Sequence, residues 1–81
     1  MIILKNITKN DNIIEADYFP DIENEEINGH IKVDVATSEV ISYTVAHGYE
    51  NYKFILYHAQ NDLLRIAHLD PLPAERKVIW Y

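Results

Sequence analysis

Residues Glu50 to Leu69, ENYKFILYHAQNDLLRIAHL, decide how the rest of this chain is read. On a helical wheel Tyr52, Ile55, Leu56, Ala59, Leu63, Ile66 and Ala67 share an arc of about 120°, the apolar stripe of a helix packed on a core. The apolar residues recur at three and four rather than at two, and the run is longer than an ordinary strand, so an extended reading fails. Burying Ile55, Leu56, Leu63 and Ile66 contributes roughly 1.5–3 kcal/mol each before conformational entropy is set against it.

A second stripe lies roughly opposite. Phe54, Tyr57, Asn61, Leu64 and His68 follow one another at heptad-like spacings, and three of them are large and apolar. A helix on a sheet with one face in water has no need of Phe54, Tyr57 and Leu64 there. Either the tail Pro71 to Tyr81 wraps this face or another chain covers it. Together with Trp80, these residues form the expected partner-binding set: Phe54, Tyr57, Asn61, Leu64, His68 and Trp80.

Working outward, His47-Gly48 breaks the preceding run, with Gly48 as the expected N-cap and Glu50 against the positive helix end. Pro71 and Pro73 end the helix by Asp70, and Glu75 to Tyr81 reads as a last strand that joins a sheet edge or pairs with another molecule. Upstream, residues 2–9 and 12–19 are strands about an Asn10-Asp11 turn, a register in which Ile7 meets Ile14 and Ile3 meets Tyr18. Pro20 to Asn28 is an acidic loop. Gly29 then opens a strand with Ile31, Val33 and Val35 inward, and Glu39 to Ala46 forms another with Ile41, Tyr43 and Val45 inward. A three-residue loop, Thr37-Ser38-Glu39, keeps these two in phase and puts Ser38 in the left-handed region at some cost.

The expected fold is therefore α+β: an antiparallel sheet of four to five strands packed on one long helix, in the chain order β-β-β-β-α-β, as a single domain over residues 1–81. The expected core is Ile3, Ile7, Ile14, Ala16, Tyr18, Ile31, Val33, Val35, Ile41, Tyr43, Val45, Ile55, Leu56, Ala59, Leu63, Ile66 and Val78 or Ile79.

Three segments, IIEADYFP (13–20), GHIKVDVATSEVI (29–41) and the C-terminal PLPAERKVIWY (71–81), together resemble a group of short uncharacterised bacterial proteins with no established activity. The resemblance implies a shared domain and transfers no catalytic or binding residue. Ser38 departs from the glycine such a hairpin favours.

Composition narrows the function classes. The 81 residues contain no cysteine, which removes disulfides, thiolate metal sites and a thiol nucleophile. The opening MIILK has no signal-peptide core, and no apolar run is long enough to span a bilayer, so a cytoplasmic, non-membrane protein is expected. A net charge of −6 opposes a phosphate backbone, and the basic pairs Lys53/Arg65 and Arg76-Lys77 are flanked by acids, so nucleic acid is not an expected partner.

The candidate chemical constellations are sparse. His30, His47, His58 and His68 lack metal-ligand spacing: the two on the helix are ten residues apart. Asp21, Glu23, Glu25 and Glu26 imitate a calcium loop without its glycine at the sixth place or its glutamate at the twelfth. No metal and no cofactor are expected. Glu15, Asp17, His30, Asp34 and His47 sit on or beside strands with no spacing that ties an acid to a base, and no catalytic residue is assigned. The leading expectation is a small non-catalytic binding or adaptor protein with a protein partner or self-association, a homodimer through the outer helix face or the C-terminal strand. The alternative is a small enzyme or ligand-binding domain using His30, His47, Asp34 or Glu15 in a helix–sheet cleft.

Overall fold

The computed structural model describes residues 1–80; the Tyr81 end of the expected last strand lies outside them. The elements are β1 (Ile2–Asn10), β2 (Ile13–Phe19), β3 (Gly29–Asp34), β4 (Glu39–Thr44), α1 (Phe54–Ile66) and β5 (Glu75–Val78). They form one five-stranded antiparallel sheet in the order β4-β3-β2-β1-β5, with the helix on one face. This is the expected α+β class. The first four strands run as a meander, and α1 carries the chain across the inner face from the β4 edge to the β5 edge.

Alternation sorts the two faces in β2 and β3. Ile14, Ala16, Tyr18, Ile31 and Val33 point at the helix and are buried, while Glu15, Asp17, His30, Lys32 and Asp34 take the other face. From α1, Ile55, Ala59, Leu63 and Ile66 meet them, with Ala67 just beyond the helix, as the first stripe requires. Leu56 is half-buried against this core, whereas Tyr52 is exposed.

The first hairpin corrects the expected register. Asn10 faces Ile13 and Lys9 faces Ile14, so the turn is Asp11-Asn12, with Asp11 at φ 55°. A bulge between Lys5 and Thr8 then shifts the ladder, so that Leu4, not Ile3, meets Tyr18. Asn6, at φ 56°, supplies the left-handed conformation within the bulge, which asparagine tolerates better than most side chains. The inward residues of β1 are consequently Ile2, Leu4 and Ile7, and Ile3 faces outward between Phe19 and Lys77.

The second hairpin differs as well. Asp34 pairs with Glu39 and Val33 with Val40, so the loop is four residues, Val35 to Ser38. Asp34 builds it: its Oδ1 accepts hydrogen bonds from the Ala36 and Thr37 amides at 2.9 and 3.3 Å, and its carbonyl accepts from Ser38 at 2.8 Å. Ser38 does take the left-handed conformation, at φ 66°. A second bulge leaves Ile41 between Val40, paired with Val33, and Ser42, paired with Lys32. Being an edge strand, β4 contributes little to the core: Ile41 and Tyr43 are 50% and 48% exposed, and Val35 and Val45 are half-buried. At the other edge Val78 is buried and Ile79 exposed.

The helix is shorter than its periodic sequence. Gly48, at φ 87°, is a turn residue and not the N-cap. From Ala46 to Lys53 the chain advances by three-residue turns, Tyr49 donating to Ala46 and Tyr52 to Tyr49, each at 3.0 Å. The cap position is Lys53, without a side-chain capping bond, and the helix ends at Ile66. No helix among the described residues is long and apolar enough to cross a membrane.

Two contacts lock the layers. Tyr18 is buried with its hydroxyl accepting from the Ala46 amide at 2.9 Å, and its ring lies over Gly29, its cross-strand partner. Asp62, only 3% exposed, faces Arg76 of β5 from the inner side of the helix.

Candidate functional site

Ladder geometry brings the chain's end to the start of the helix. β5 pairs with β1, with Val78 opposite Ile2, and so delivers Trp80 beside the first turns of α1. The Trp80 indole stacks on His58, with centroids 4.3 Å apart and planes 6° from parallel. Phe54 meets both rings edge-on, at 6.1 Å from Trp80 and 6.3 Å from His58. Tyr57 meets His58 at 5.8 Å, and Tyr52 and Tyr49 extend the series from Phe54 at 6.1 and 5.8 Å. The edge-on contacts suit rings that present a negative face to a positive edge, whereas Trp80 and His58 meet face to face.

The tail therefore does wrap part of the outer helix face, but it leaves much of it open. Phe54 remains 50% exposed and Tyr57 61%. Of the six expected partner-binding residues, Phe54, Tyr57 and Trp80 come together. Leu64 is half-buried against the core, and Asn61 is half-buried on the helix. His68 is exposed beyond the helix end and takes no part in the ring contacts among the described residues. The heptad-like seam is thus cut short, because the helix stops at Ile66 and Leu64 packs against the core. His58, Tyr52 and Tyr49 join the rings from outside the expected set: Tyr52 belongs to the expected core stripe and His58 to the isolated histidines. The density of rings between Tyr49 and Tyr57 was their signal in the sequence.

The titratable groups gather elsewhere. Across the outer sheet face one cross-strand row reads Glu75, Lys5, Asp17, His30, Thr44. His30 Nδ1 lies 2.7 Å from Asp17 and Nε2 lies 3.0 Å from Glu15; Asn6 donates to Asp17 at 2.8 Å, and Lys32 stands 3.8 Å from Glu15. Partial burial pushes the Asp17 carboxyl up, but hydrogen bonds from His30 and Asn6 and the attraction of His30 outweigh it and hold the group below the usual carboxylate range. Lys5 completes the network with ion pairs to Glu25 and, at 3.6 Å, Glu75.

This network is built for cross-strand pairing. Both His30 ring nitrogens are occupied, on opposite sides of the ring, leaving neither for a metal or a substrate proton. Glu15, His30 and Asp34 face away from the helix and His47 is exposed, while core side chains fill the space between helix and sheet, so these residues do not converge there. No pocket is formed among the described residues. In the acidic loop Asp21 accepts from the Glu23 amide at 3.0 Å and Glu25 turns to Lys5, so the carboxylates part. No group of three or more His, Asp or Glu residues with metal-binding geometry occurs among the described residues.

One member of each basic pair is also engaged. Arg76 is committed to Asp62, which raises its already high pKa, and Arg65 stands 3.7 Å from the same carboxylate.

No family model, curated protein or solved structure matches this chain.

Proposed function

We propose that this is a small non-catalytic binding or adaptor protein of the cytoplasm, which takes a protein partner or a second copy of itself on the aromatic surface of Phe54, Tyr57, His58 and Trp80. The observation that carries this reading is the contiguity of the rings together with the exposure of Phe54 and Tyr57. Aromatic side chains dominate binding energetics because each buries a large area at little cost in rotamer entropy. Their positions on a helix and beside a paired strand pre-organise them, which lowers the cost of association.

Site-specific photo-crosslinking tests the reading. A photoreactive group at position 57 is expected to trap a discrete protein or a second copy, while the same group at Lys9, remote in the β1–β2 hairpin, traps neither. Equal trapping at both positions, or none at position 57, would reject it.

A further inference from the structure

The two edges of the sheet are unlike. β5 is four residues long and reads Glu75-Arg76-Lys77-Val78, a short charged edge of the kind that discourages pairing. β4 is six residues long and reads Glu39-Val40-Ile41-Ser42-Tyr43-Thr44, with a single charge at its first position. Among the described residues no strand lies beyond it. Among the described residues no strand pairs with its backbone groups on that side, and Ile41 and Tyr43 are half-exposed. Ile41 is moreover skipped by the ladder to β3. Ser42, Tyr43 and Thr44 after the bulge keep regular pairing, with Lys32, Ile31 and His30, and so hold strand geometry up to the edge.

We infer that β4 pairs antiparallel with β4 of a second copy about a two-fold axis at Ser42. In that register Ser42 faces Ser42, Ile41 faces Tyr43 twice, and Val40 faces Thr44 twice. Each half-exposed apolar residue thereby gains an aromatic or β-branched partner. Glu39 falls at opposite ends of the pairing, opposite Val45, so no like charges meet despite a net charge of −6 per chain. The contact is isologous and closes at two copies, because the remaining edges of the joined sheet are the charged β5 strands. This inference stands on the sheet edge and is independent of the aromatic surface, which such a dimer would present twice.

Sedimentation velocity on the full chain, from low micromolar to near-millimolar concentration, tests it. The expected result is a concentration-dependent rise to twice the 9.5 kDa of one chain. Ile41→Lys, at an exposed position, is expected to weaken the dimer by about tenfold or more, because a charge is forced into the new ladder. Lys9→Ser, remote from this edge and from the aromatic surface, is expected to leave it intact. Amide exchange on the wild type gives a second readout: β4 amides that do not bond to β3 gain protection as the dimer forms. A wild type that stays monomeric throughout, or a dimer that Tyr57→Ser dissolves and Ile41→Lys does not, overturns the inference. The latter result would assign self-association to the helix face.

Discussion

Arg76 grips the buried carboxylate of Asp62 in a two-point fork, Nε to Oδ2 at 2.9 Å and Nη2 to Oδ1 at 3.1 Å. This fork ties the C-terminal edge strand to the helix. Removing the cation leaves a carboxylate desolvated with only Arg65 nearby. Arg76→Met is expected to cost about 3 kcal/mol, the lower end for breaking a buried pair. The double variant Asp62→Leu/Arg76→Met should recover most of it. Urea unfolding decides the matter, and a loss of less than about 1 kcal/mol for the single variant would show that the fork is incidental.

Tyr18→Phe should destabilise the fold by about 1–3 kcal/mol, since the Ala46 amide then stays buried without an acceptor. Hydrogen exchange at Ala46 should accelerate more than at other core amides. Burial also raises the Tyr18 hydroxyl pKa above the ordinary tyrosine value, against a smaller opposing effect of the Ala46 bond. Its contribution is therefore complete below that ordinary value and is lost as pH climbs through the folded one.

Gly29→Ala places a methyl group inside contact distance of the Tyr18 ring and the Thr44 carbonyl oxygen. The ring and the β4 backbone cannot both yield without disturbing the core, so a cost of about 1–3 kcal/mol is expected. Gly48→Ala meets open space and strains only its positive φ, and should cost about 1 kcal/mol. Thermal melts showing the reverse order would contradict this picture of Tyr18.

The depressed pKa of Asp17 fixes the sign of a pH effect. Its carboxylate stabilises the fold above the ordinary aspartate value of about 4, and that contribution disappears as pH falls through the lower folded value. The stability gap between wild type and Asp17→Asn should therefore be open near neutral pH and close in acid. Because Asp17 is partly solvated, the gap is expected to be small. A gap that widens in acid would refute the pairing with His30.

Trp80 is the single tryptophan, so its emission reports the stack on His58. His58→Ala should move the emission to longer wavelength and lower stability by about 0.5–1.5 kcal/mol. An unchanged spectrum would mean that the indole does not rest on the helix.

The sequence by itself determined the helix stripe and the two faces of β2 and β3, because periods of 3.6 and 2 are local properties of the chain. It also singled out Phe54, Tyr57 and Trp80 as apolar residues in need of cover. It could not show that Asn6 interrupts the β1 alternation, since a bulge in register is a matter between two strands. Nor could it show that Ile41 and Tyr43 lie at an edge: their alternation matches that of Ile31 and Val33, and only strand order separates covered residues from open ones. Asp62 reads as a surface acid until β5 brings Arg76 beneath the helix. Tertiary structure decided these points because each depends on a partner distant along the chain. The helix itself proved shorter than its pattern, and the face it leaves open is a group of contacting rings completed by Trp80.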